Sequence, residues 1–537
     1  MAQKKRLTRP NARPGDARRR AVCCAGAAMF ALLGALGLEA QRLMASGESA
    51  RMGTSDPLRL LFTAALLFLA AIPLLGWMLA TGEKRADRRA TGERPFATLR
   101  AFFMILLCYA PMFVIAFPGT FAYDVPFQLR QVFTGAYSTH HPLLHTLLLG
   151  GCVALGRLMG SVNLGAALYT ALQAAGLAGC FALTCASIAR QCGDRAARRA
   201  AVFFALYPLH MVFAVNATKD VLFSGLFALT LALLREAVRG ERLTRREAAR
   251  LCACAAAMLL LRNNAVYAVL AWILLAAIPA VKRRRGAAVG AMTLSVVLAL
   301  GANALLAHAT SAQPGDLSEM LSWPIQQLAR ARLAGGDALT NEEREAIDEL
   351  MPGEAWRLYD PTISDPVKFE FDTQALLRDP ARYARTYLSV GAKCPRAYFD
   401  AVLLHTYSFL CPYGEYRVSG YYVQITVGEA YYDDWCDFER ITSAFPRLLT
   451  ALSWRFGARG AMQIPVIGLL FNMGLIVWTM LYFALREAYE GRWRRFGVAL
   501  LPVLLLGTFL LGPVMAGRYV YPFVCALPVL ASREREG

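Results

Sequence analysis

LRAFFMILLCYAPMFVIAF, residues 99–117, is an apolar run that leads directly into the segment PGTFAYDVPFQLRQVFTGAYSTHHPLLH. A helix needs about 20 apolar residues to span the hydrocarbon core of a bilayer. The segment that follows this run contains Asp124 and, sixteen residues later, the pair His140 and His141. Ionisable groups beside the hydrocarbon are costly, and they mark functional sites. The junction therefore predicts a membrane helix that ends in a reactive polar loop.

Similar apolar runs recur along the whole chain. Hydrophobic residues make up 57% of the sequence and charged residues only 18%, with a mean hydropathy of +0.39. This composition is unusual for a soluble protein and indicates an all-α polytopic membrane protein with about 11–13 transmembrane helices. Besides residues 99–117, the candidate runs are 21–40, 58–80, 164–189, 200–216, 221–235, 251–281, 286–308, 462–485, 497–512 and 514–531.

The net charge of +19 is distributed in a way that indicates membrane topology. Residues 309–460 contain 15 Lys and Arg against 21 Asp and Glu, so the positive excess lies in the rest of the chain. It occurs in short clusters between apolar runs, such as RAARR at 195–199, RLTRREAAR at 242–250 and KRRR at 282–285. Such clusters are typical of cytoplasmic loops, and no nucleic-acid partner is expected.

These clusters predict the orientation of the chain, with a cytoplasmic N-terminus and the lipid bilayer as its partner. The same pattern places Asp124 outside the cytoplasm. The predicted regions are a basic cytoplasmic tail at 1–20, an N-terminal transmembrane module at 21–308 with a catalytic outer loop at 118–142, a mainly helical extracytoplasmic domain at 309–460 inserted before the last three spans, a C-terminal transmembrane module at 461–531 and a cytoplasmic tail at 532–537.

Two apolar stretches leave the topology open. Residues 143–159 are apolar enough to cross, but a crossing there would place the basic loop 190–199 outside. We favour a re-entrant or interfacial helix, and the alternative is a normal crossing with one loop that violates the charge rule. Residues 251–281 are split by Arg262-Asn263-Asn264. Two short halves that turn near the outer face and line a cavity are expected there.

The extracytoplasmic domain is expected to be helical over 317–335, 340–351 and 379–407. Asn341 is the predicted N-cap of one helix, and Asp379-Pro380 opens another. Tyr413 to Asp437 is rich in Tyr and Gly and favours short strands or ordered loops.

The cysteines do not predict a metal site. Most of them lie in apolar runs, where they behave as small hydrophobic residues. Cys394, Cys411 and Cys436 fall in the extracytoplasmic domain, and a Cys411–Cys436 disulfide is one interpretation in an oxidising compartment. The sequence has no CxxC pair and no zinc-like Cys and His spacing. No cofactor is assigned, and a divalent metal is not favoured.

The polar residues at the predicted outer ends of the spans suit transfer from a lipid-linked sugar. Such a donor places its phosphate at the headgroup level, so the reaction needs a base for the acceptor and cations for the leaving phosphate. Asp124 is the candidate base. The candidate phosphate-binding residues are Lys219, Arg262 and Arg518; the candidate donor-binding or acceptor-binding residues are His140, His141 and Asp220; and the candidate supporting residues are Asn263, Asn264, Tyr519, Gln326 and Gln327.

Each of these residues also has a purely structural explanation. Asp124 can cap a helix at a membrane exit, and the segment His140–Pro142 can begin the next helix. Lys219 can extend its ammonium group to the interface, and Arg518 with the tyrosine after it can form an interfacial anchor. Arg262 is harder to explain in this way, because it begins a polar triplet inside an apolar run. The stronger argument for function is that these residues are all predicted to lie on the same side of the membrane.

These features together resemble the GT-C fold glycosyltransferases, the class that contains protein O-mannosyltransferases and aminoarabinose transferases. The shared order is an outer-loop acid, an HP pair that opens the next helix, a later outer Lys-Asp and a terminal RYxYP. A bacterial multi-spanning family of glycosyltransferase-like proteins is more similar still, through TKDVLFS at 218–224, LRNNAVY at 261–267, WPIQQLARA at 323–331 and YDPTISDPVK at 359–368.

The resemblance covers about residues 100–530 and implies an inverting transfer from a polyprenyl-phosphate-linked sugar to a cell-envelope acceptor. It implies that Asp124 is the base or the acceptor-binding carboxylate. Many GT-C enzymes carry two adjacent acids in this loop, whereas Val125 and Pro126 follow Asp124 here, so a metal held by paired acids is not expected. A transporter or flippase of a lipid-linked saccharide is the alternative function, although no inverted repeat is visible.

Overall fold

The computed structural model of the chain describes residues 15–45, 53–84, 95–239, 243–276, 286–412, 441–456 and 464–534. Within these ranges the chain forms a bundle of α-helices with one pair of two-residue strands, β1 (Thr120–Phe121) and β2 (Asn216–Ala217). Seven of the described helices are long and apolar enough to cross a membrane. The protein is therefore an all-α polytopic membrane protein, as the composition predicts.

The helices before residue 310 are rich in Ala and Leu, which are strong helix formers. The run predicted at 200–216 divides in two, because Tyr207 is extended and Pro208 begins a new helix. In chain order these helices are α1 (Asp16–Ala45), α2 (Pro57–Lys84), α3 (Thr98–Ile115), α4 (Asp124–Thr134), α5 (Leu143–Leu158), α6 (Val162–Cys192), α7 (Asp194–Leu206), α8 (Pro208–Ala214), α9 (Lys219–Arg239), α10 (Arg245–Leu261), α11 (Ala265–Ala276) and α12 (Gly286–Ala309).

Residues 310–456, which we call the insert, separate α12 from three final helices. The helices of the insert are α13 (Ser322–Ala334), α14 (Asn341–Leu350), α15 (Asp365–Lys368), α16 (Thr373–Arg378), α17 (Pro380–Lys393), α18 (Pro395–Leu410) and α19 (Pro446–Phe456), with 3-10 helices at Leu317–Met320, Gly336–Ala338 and Pro352–Leu358. A 3-10 helix at Ile467–Phe471 then precedes α20 (Met473–Tyr489), α21 (Trp493–Leu510) and α22 (Gly517–Ala531).

Local capping explains where two insert helices begin. Asp379 accepts a hydrogen bond from the backbone of Arg382, so it opens α17 as predicted. The prediction of Asn341 as an N-cap was wrong by one residue. Thr340 is the N-cap of α14 and forms a capping box with Glu343.

Charged residues divide the bundle into two ends. At one end, Arg235, Arg486 and Arg495 donate hydrogen bonds to carbonyl groups at the C-terminus of α22. Cations at a helix C-terminus satisfy its free carbonyls and oppose its dipole. We call this the arginine end. At the other end α3 and α8 finish while α4, α9 and α22 begin, and we call it the Asp124 end.

The ambiguous stretch 143–159 forms α5, which remains at the Asp124 end. His145 Nε2 lies 2.7 Å from Tyr169 Oη, and a Cβ atom added to Gly156 would overlap the backbone nitrogen of Gly165. Helix α5 therefore packs antiparallel against the first half of α6, and the chain turns back between them. Helix α6 then continues to Cys192, which contacts Arg235 at the arginine end. Helix α5 therefore does not extend to the arginine end of the bundle.

The broken stretch 251–281 forms α10 and α11, which meet in a turn at the Asp124 end. Asn264 donates a hydrogen bond to Thr508 near the end of α21. Trp272 donates to the carbonyl of Gly497 near the start of the same helix, at 2.7 Å. Helix α11 therefore returns alongside α21 towards the arginine end, so the turn between the two halves faces the same end as Asp124.

The insert has its own hydrophobic core, which includes Ile325, Ile347 and Val367. Helix α18 packs both against α13 of the insert and against α1 and α20 of the bundle, where Cys411 fits closely against Gly37 and Gly474. Helix α18 therefore connects the insert to the helix bundle. The predicted Cys411–Cys436 disulfide and the predicted strands between Tyr413 and Asp437 lie outside the described residues, as do most of tail 1–20 and residues 535–537.

Candidate functional site

Two short parallel strands bring two distant polar loops together. Strand β1 pairs with β2 so that Thr120 lies opposite Asn216, and all four strand residues are buried. Because parallel strands run in the same direction, the chain leaves both of them at the same edge. Helix α4 begins at Asp124 soon after β1, and α9 begins at Lys219 soon after β2. The pairing therefore places an acid and a lysine side by side.

Asp124 lies at the centre of the resulting cluster. Its Oδ2 atom is 2.5 Å from Lys219 Nζ, and its Oδ1 atom is 3.3 Å from Arg518 Nη2. Only 13% of the Asp124 side chain is exposed. Burial alone would raise the pKa of this carboxyl, but the charges of Arg518 and Lys219 outweigh burial and hold the pKa well below its usual range. Asp124 is therefore ionised at neutral pH.

His141 lies beside this ion pair as a neutral imidazole. Its Nδ1 atom is 3.3 Å from Lys219 Nζ and 4.0 Å from Asp124 Oδ2. An ammonium group can only donate, so Nδ1 accepts and the ring hydrogen belongs on Nε2. Burial, followed by the charge of Lys219, holds the pKa of His141 well below its usual value. The contact between His141 and Asp124 is consequently not an ion pair at pH 7.

A second ion-paired group adjoins Asp124 and is more deeply buried. Asp220 has no exposed surface and forms an ion pair with Arg262. Its Oδ2 atom is also 3.5 Å from Arg518 Nε, so Arg518 bridges the carboxylates of Asp124 and Asp220. Asp220, which was predicted to contact a donor or acceptor, is fully buried and pairs with two arginines. Asp220 instead holds two arginines in place.

Aromatic rings enclose Arg262. Its guanidinium carbon lies 4.4 Å from the ring centroid of Phe509 and 4.5 Å from that of Tyr519. The Arg262 side chain is 8% exposed, against 14% for Lys219 and 18% for Arg518. A ligand can therefore reach Lys219 and Arg518 first, whereas Arg262 acts mainly through the buried ion pair. The Tyr519 ring lies beside both Arg262 and Arg518.

The two asparagines after Arg262 organise its turn. Asn264 Oδ1 accepts a hydrogen bond from Arg262 Nε at 3.0 Å. Asn263 Nδ2 donates to the carbonyl of Thr139 at 3.3 Å, which joins this turn to the loop that carries His141. Both side chains thus link elements that meet at the cluster.

Helix N-termini add positive potential to the cluster. Asp124 is the first residue of α4, Lys219 is the first residue of α9, and Arg518 is the second residue of α22. The free N–H groups of a helix N-terminus favour bound anions such as phosphate. The ionised side chains add to this effect, since Lys219, Arg262 and Arg518 outnumber Asp124 and Asp220 by one charge. The cluster is suited to a singly charged anion.

His140 lies at the edge of this cluster, with its ring centroid 4.4 Å from that of His141, whereas Gln326 and Gln327 belong to the insert. His140 is 40% exposed, and its Nδ1 atom is 3.9 Å from Glu319 of the insert. Gln326 donates a hydrogen bond to the carbonyl of Asp360 at 2.7 Å, and Gln327 bonds to two tyrosines of the insert. The structure does not join the two glutamines to the cluster, since their amides bond within the insert.

The sequence prediction missed a buried polar network next to the cluster. Its members are Gln128, His145, Tyr169 and Gln173, each at most 1% exposed. Each is isolated among apolar neighbours in the sequence, so no local motif links them. A histidine inside the apolar run of α5 was the one signal that could have drawn attention to this network.

The residues present do not fit a bound divalent metal. Among the described residues, no group of three or more His, Cys, Asp or Glu side chains is arranged to hold one. Asp124 and His141 have suitable ligand atoms, but Lys219 Nζ lies between them and occupies the position of a shared cation. Arg518 adds a second positive charge at Asp124, which opposes a further cation.

The fold and this cluster define a polytopic α-helical membrane protein with an ion-paired, anion-suited site at one end of its bundle. Residues 133–533 match a family described as a family of unknown function, DUF6020, and the chain belongs to that family. The match includes His141, Lys219, Arg262 and Arg518 and begins after Asp124. No curated protein and no solved structure matches the chain.

Proposed function

We propose that this protein is a membrane glycosyltransferase that moves a sugar from a polyprenyl-phosphate-linked donor to a cell-envelope acceptor. One observation supports the proposal above the others. An ionised carboxylate, Asp124, is held between Lys219 and Arg518 at the end of a membrane bundle where several helices begin. This arrangement combines a proton acceptor with an anion-binding site, as a reaction at the headgroup level of a lipid phosphate requires.

The donor phosphate is assigned to Lys219 and Arg518. Both side chains are partly exposed, whereas Arg262 is held by Asp220 and two aromatic rings. Oriented cations stabilise the charge that develops on a leaving phosphate without reorganising during the reaction. A polyprenyl phosphate that carries a sugar has one negative charge, which matches the single positive excess of the cluster.

Asp124 is assigned as the base. In the resting site the neighbouring cations lower its pKa and make it a weak base. A bound donor phosphate shares Lys219 and Arg518, so Asp124 loses part of their charge and becomes more basic when the acceptor is present. The acceptor oxygen then forms a bond to the anomeric carbon as the bond from that carbon to the phosphate oxygen breaks. The acceptor proton passes to Asp124, and polyprenyl phosphate leaves as an anion. A single displacement of this kind inverts the anomeric centre.

The proposed topology has about 11–13 spans in a bacterial cell membrane, with both chain ends in the cytoplasm and Asp124 outside. The opposite placement of the arginine end and Asp124 supports this orientation. A fluorescent protein fused after residue 537 is expected to fluoresce, since such fusions fold in the cytoplasm but not when exported through the general secretory route in unfolded form. A dark but full-length fusion would contradict the orientation.

The activity is tested with purified full-length protein in proteoliposomes, a panel of labelled polyprenyl-phosphate sugars and a cell-envelope extract. Release of polyprenyl phosphate is the readout, because it does not require a known acceptor. Asp124→Asn is expected to lower the rate by at least about 100-fold, as for loss of a general base. Asp337→Asn, at a fully exposed carboxylate of the insert, is the matched control and retains the rate.

Two outcomes would overturn the proposal. Full activity of Asp124→Asn would exclude Asp124 as the base. Movement of the intact lipid-linked sugar across the vesicle membrane, with no release of polyprenyl phosphate, would establish the alternative function of a flippase.

A further inference from the structure

Four side chains from three helices form a continuous hydrogen-bonded chain beside the ion-paired cluster. Gln128 belongs to α4, His145 to α5, and Tyr169 and Gln173 to α6. All four side chains are buried, and none of them contacts the carboxylate of Asp124. The proposed reaction makes no direct use of these residues, so their arrangement needs a separate explanation.

The chain of hydrogen bonds has one direction throughout. Gln128 Nε2 lies 2.9 Å from His145 Nδ1, and an amide nitrogen can only donate, so Nδ1 accepts. The ring hydrogen therefore belongs on Nε2, which donates to Tyr169 Oη at 2.7 Å. Tyr169 donates to Gln173 Oε1 at 3.0 Å, and Gln173 Nε2 donates to the carbonyl of Asn216 at 2.8 Å.

The orientation of the Gln128 amide is supported independently. Its nitrogen also donates to Thr146 Oγ1 at 3.0 Å. The Thr146 hydroxyl in turn donates to the carbonyl of Pro142 at 3.3 Å, so its oxygen is free to accept. Every donor in the chain then has an acceptor, provided that His145 is neutral. A fully matched polar network of this kind fixes one arrangement of the elements that it joins.

The two ends of this hydrogen-bonded network lie on the two polypeptide segments that form the cluster. Gln128 is one helical turn beyond Asp124, and Asn216 is in β2, just before Lys219. Gln173 Oε1 also accepts from the backbone of Thr218 at 3.4 Å. The β1–β2 pairing joins these segments through the backbone, and the side-chain network joins them a second time.

The hydrogen-bonded network does not carry protons to the site. Both ends are amide groups, which donate hydrogen bonds but do not take up and release protons near neutral pH. A role in placing Asp124 relative to Lys219 remains, because displacement by a fraction of an ångström strongly affects a proton transfer.

We propose that Gln128, His145, Tyr169 and Gln173 are positioning residues that hold the Asp124 carboxylate against the Lys219 ammonium. The expected change in kcat rests on the proposed function, whereas the expected change in the reactivity of Lys219 does not. Loss of a link is expected to lower kcat with little change in KM, because the donor still binds to its cations. It is also expected to free Lys219 from its partner and make its amine more reactive.

The test uses Tyr169→Phe, which removes only the hydroxyl group that joins His145 to Gln173. Tyr109→Phe is the matched control, because Tyr109 is equally buried and donates one hydrogen bond to the carbonyl of Phe204 away from the cluster. Both variants of the full-length protein are treated briefly with an amine-acylating reagent at pH 7.5. Mass spectrometry then measures the label on Lys219, with Lys393 of the insert as the internal reference.

Tyr169→Phe is expected to raise labelling of Lys219 several-fold and to lower kcat by roughly 10- to 100-fold. Tyr109→Phe is expected to leave both values unchanged. Wild-type labelling in Tyr169→Phe, or an equal rise in both variants, would overturn the proposal. If the wild-type protein releases no polyprenyl phosphate but labelling still rises in Tyr169→Phe alone, the positioning role stands and the proposed function fails.

Discussion

Lys219 Nζ and Asp124 Oδ2 are 2.5 Å apart although 95 residues separate them in the chain. The surrounding structure explains why these two side chains are in contact. The parallel strands β1 and β2 bring their helices together, and Arg518 pairs with the other oxygen of the same carboxylate. The pair is largely buried, so each charge depends on the other for stabilisation that water would otherwise provide.

Removing one member of this pair is expected to destabilise the protein more than removing both. Asp124→Asn leaves Lys219 and Arg518 without a shared anion, which is expected to cost about 3 kcal/mol. Asp124→Asn combined with Lys219→Met is expected to recover part of that loss. The thermal midpoint in detergent measures both effects. If the double variant is no more stable than Asp124→Asn alone, the two side chains are not coupled as the structure indicates.

Lysine is not expected to replace arginine at position 262 without a loss of stability. Arg262→Lys loses the planar contacts with Phe509 and Tyr519 and weakens the ion pair with Asp220, at a cost of about 2 kcal/mol. Arg357→Lys is the matched control, because that arginine also stacks on an aromatic ring and pairs with Glu354 but is 63% exposed. It is expected to change stability by less than about 0.5 kcal/mol. Equal melting curves for the two variants would contradict the burial of Arg262.

Much of this site could be predicted from the sequence, because charge patterns indicate the ends of membrane helices. The basic clusters placed Asp124, Lys219, Arg262 and Arg518 on one side, and the structure joins all four in one cluster. The turn at Arg262 followed from the high cost of leaving polar groups unsatisfied in an apolar environment.

Partners of isolated polar residues could not be predicted in the same way. Gln128, His145 and Gln173 each lie in a different helix, and local sequence carries no information on which helix faces them. Gln326 and Gln327 show the opposite case, because a polar motif resembling a known family turned out to bond within the insert. Residue type indicates a need for a partner, and only packing identifies the partner.

The neutral state of His141 predicts a specific pH dependence of stability. The pKa of His141 is held well below its usual value of about 6.5, so below pH 6.5 the unfolded chain takes up a proton that the folded protein does not. This contribution to stability is complete above pH 6.5 and decreases as the pH falls towards the folded-state pKa. His141→Gln is expected to lose less stability than the wild type between pH 7 and pH 5.

Chemical denaturation at several pH values measures this difference. His308→Gln is the matched control, because that histidine is exposed near the end of α12. It is expected to keep the wild-type pH dependence. If His141→Gln follows the wild-type curve at every pH, the buried neutral imidazole is not present in the folded protein.

Chelation of divalent metals is expected to leave both thermal stability and polyprenyl phosphate release unchanged. Lys219 already lies between Asp124 and His141, and Arg518 repels an additional cation. Activity and melting curves are compared before and after treatment with EDTA and dialysis. Loss of release after EDTA, followed by recovery with Mn²⁺ or Mg²⁺, would show that Lys219 does not replace the metal.

The close contact between α5 and α6 gives a test of the hairpin that these two helices form. A Cβ atom at Gly156 would overlap the backbone of Gly165, so Gly156→Ala must push the helices apart. Overpacking of this kind is expected to cost about 1–3 kcal/mol. Gly151→Ala is the matched control on the same helix, since a Cβ atom added there would meet no atom within 4 Å. It is expected to be neutral or to stabilise α5 by up to about 1 kcal/mol, because Ala favours helix over Gly. Equal stability of the two variants in a thermal unfolding assay would show that α5 does not pack on the first half of α6.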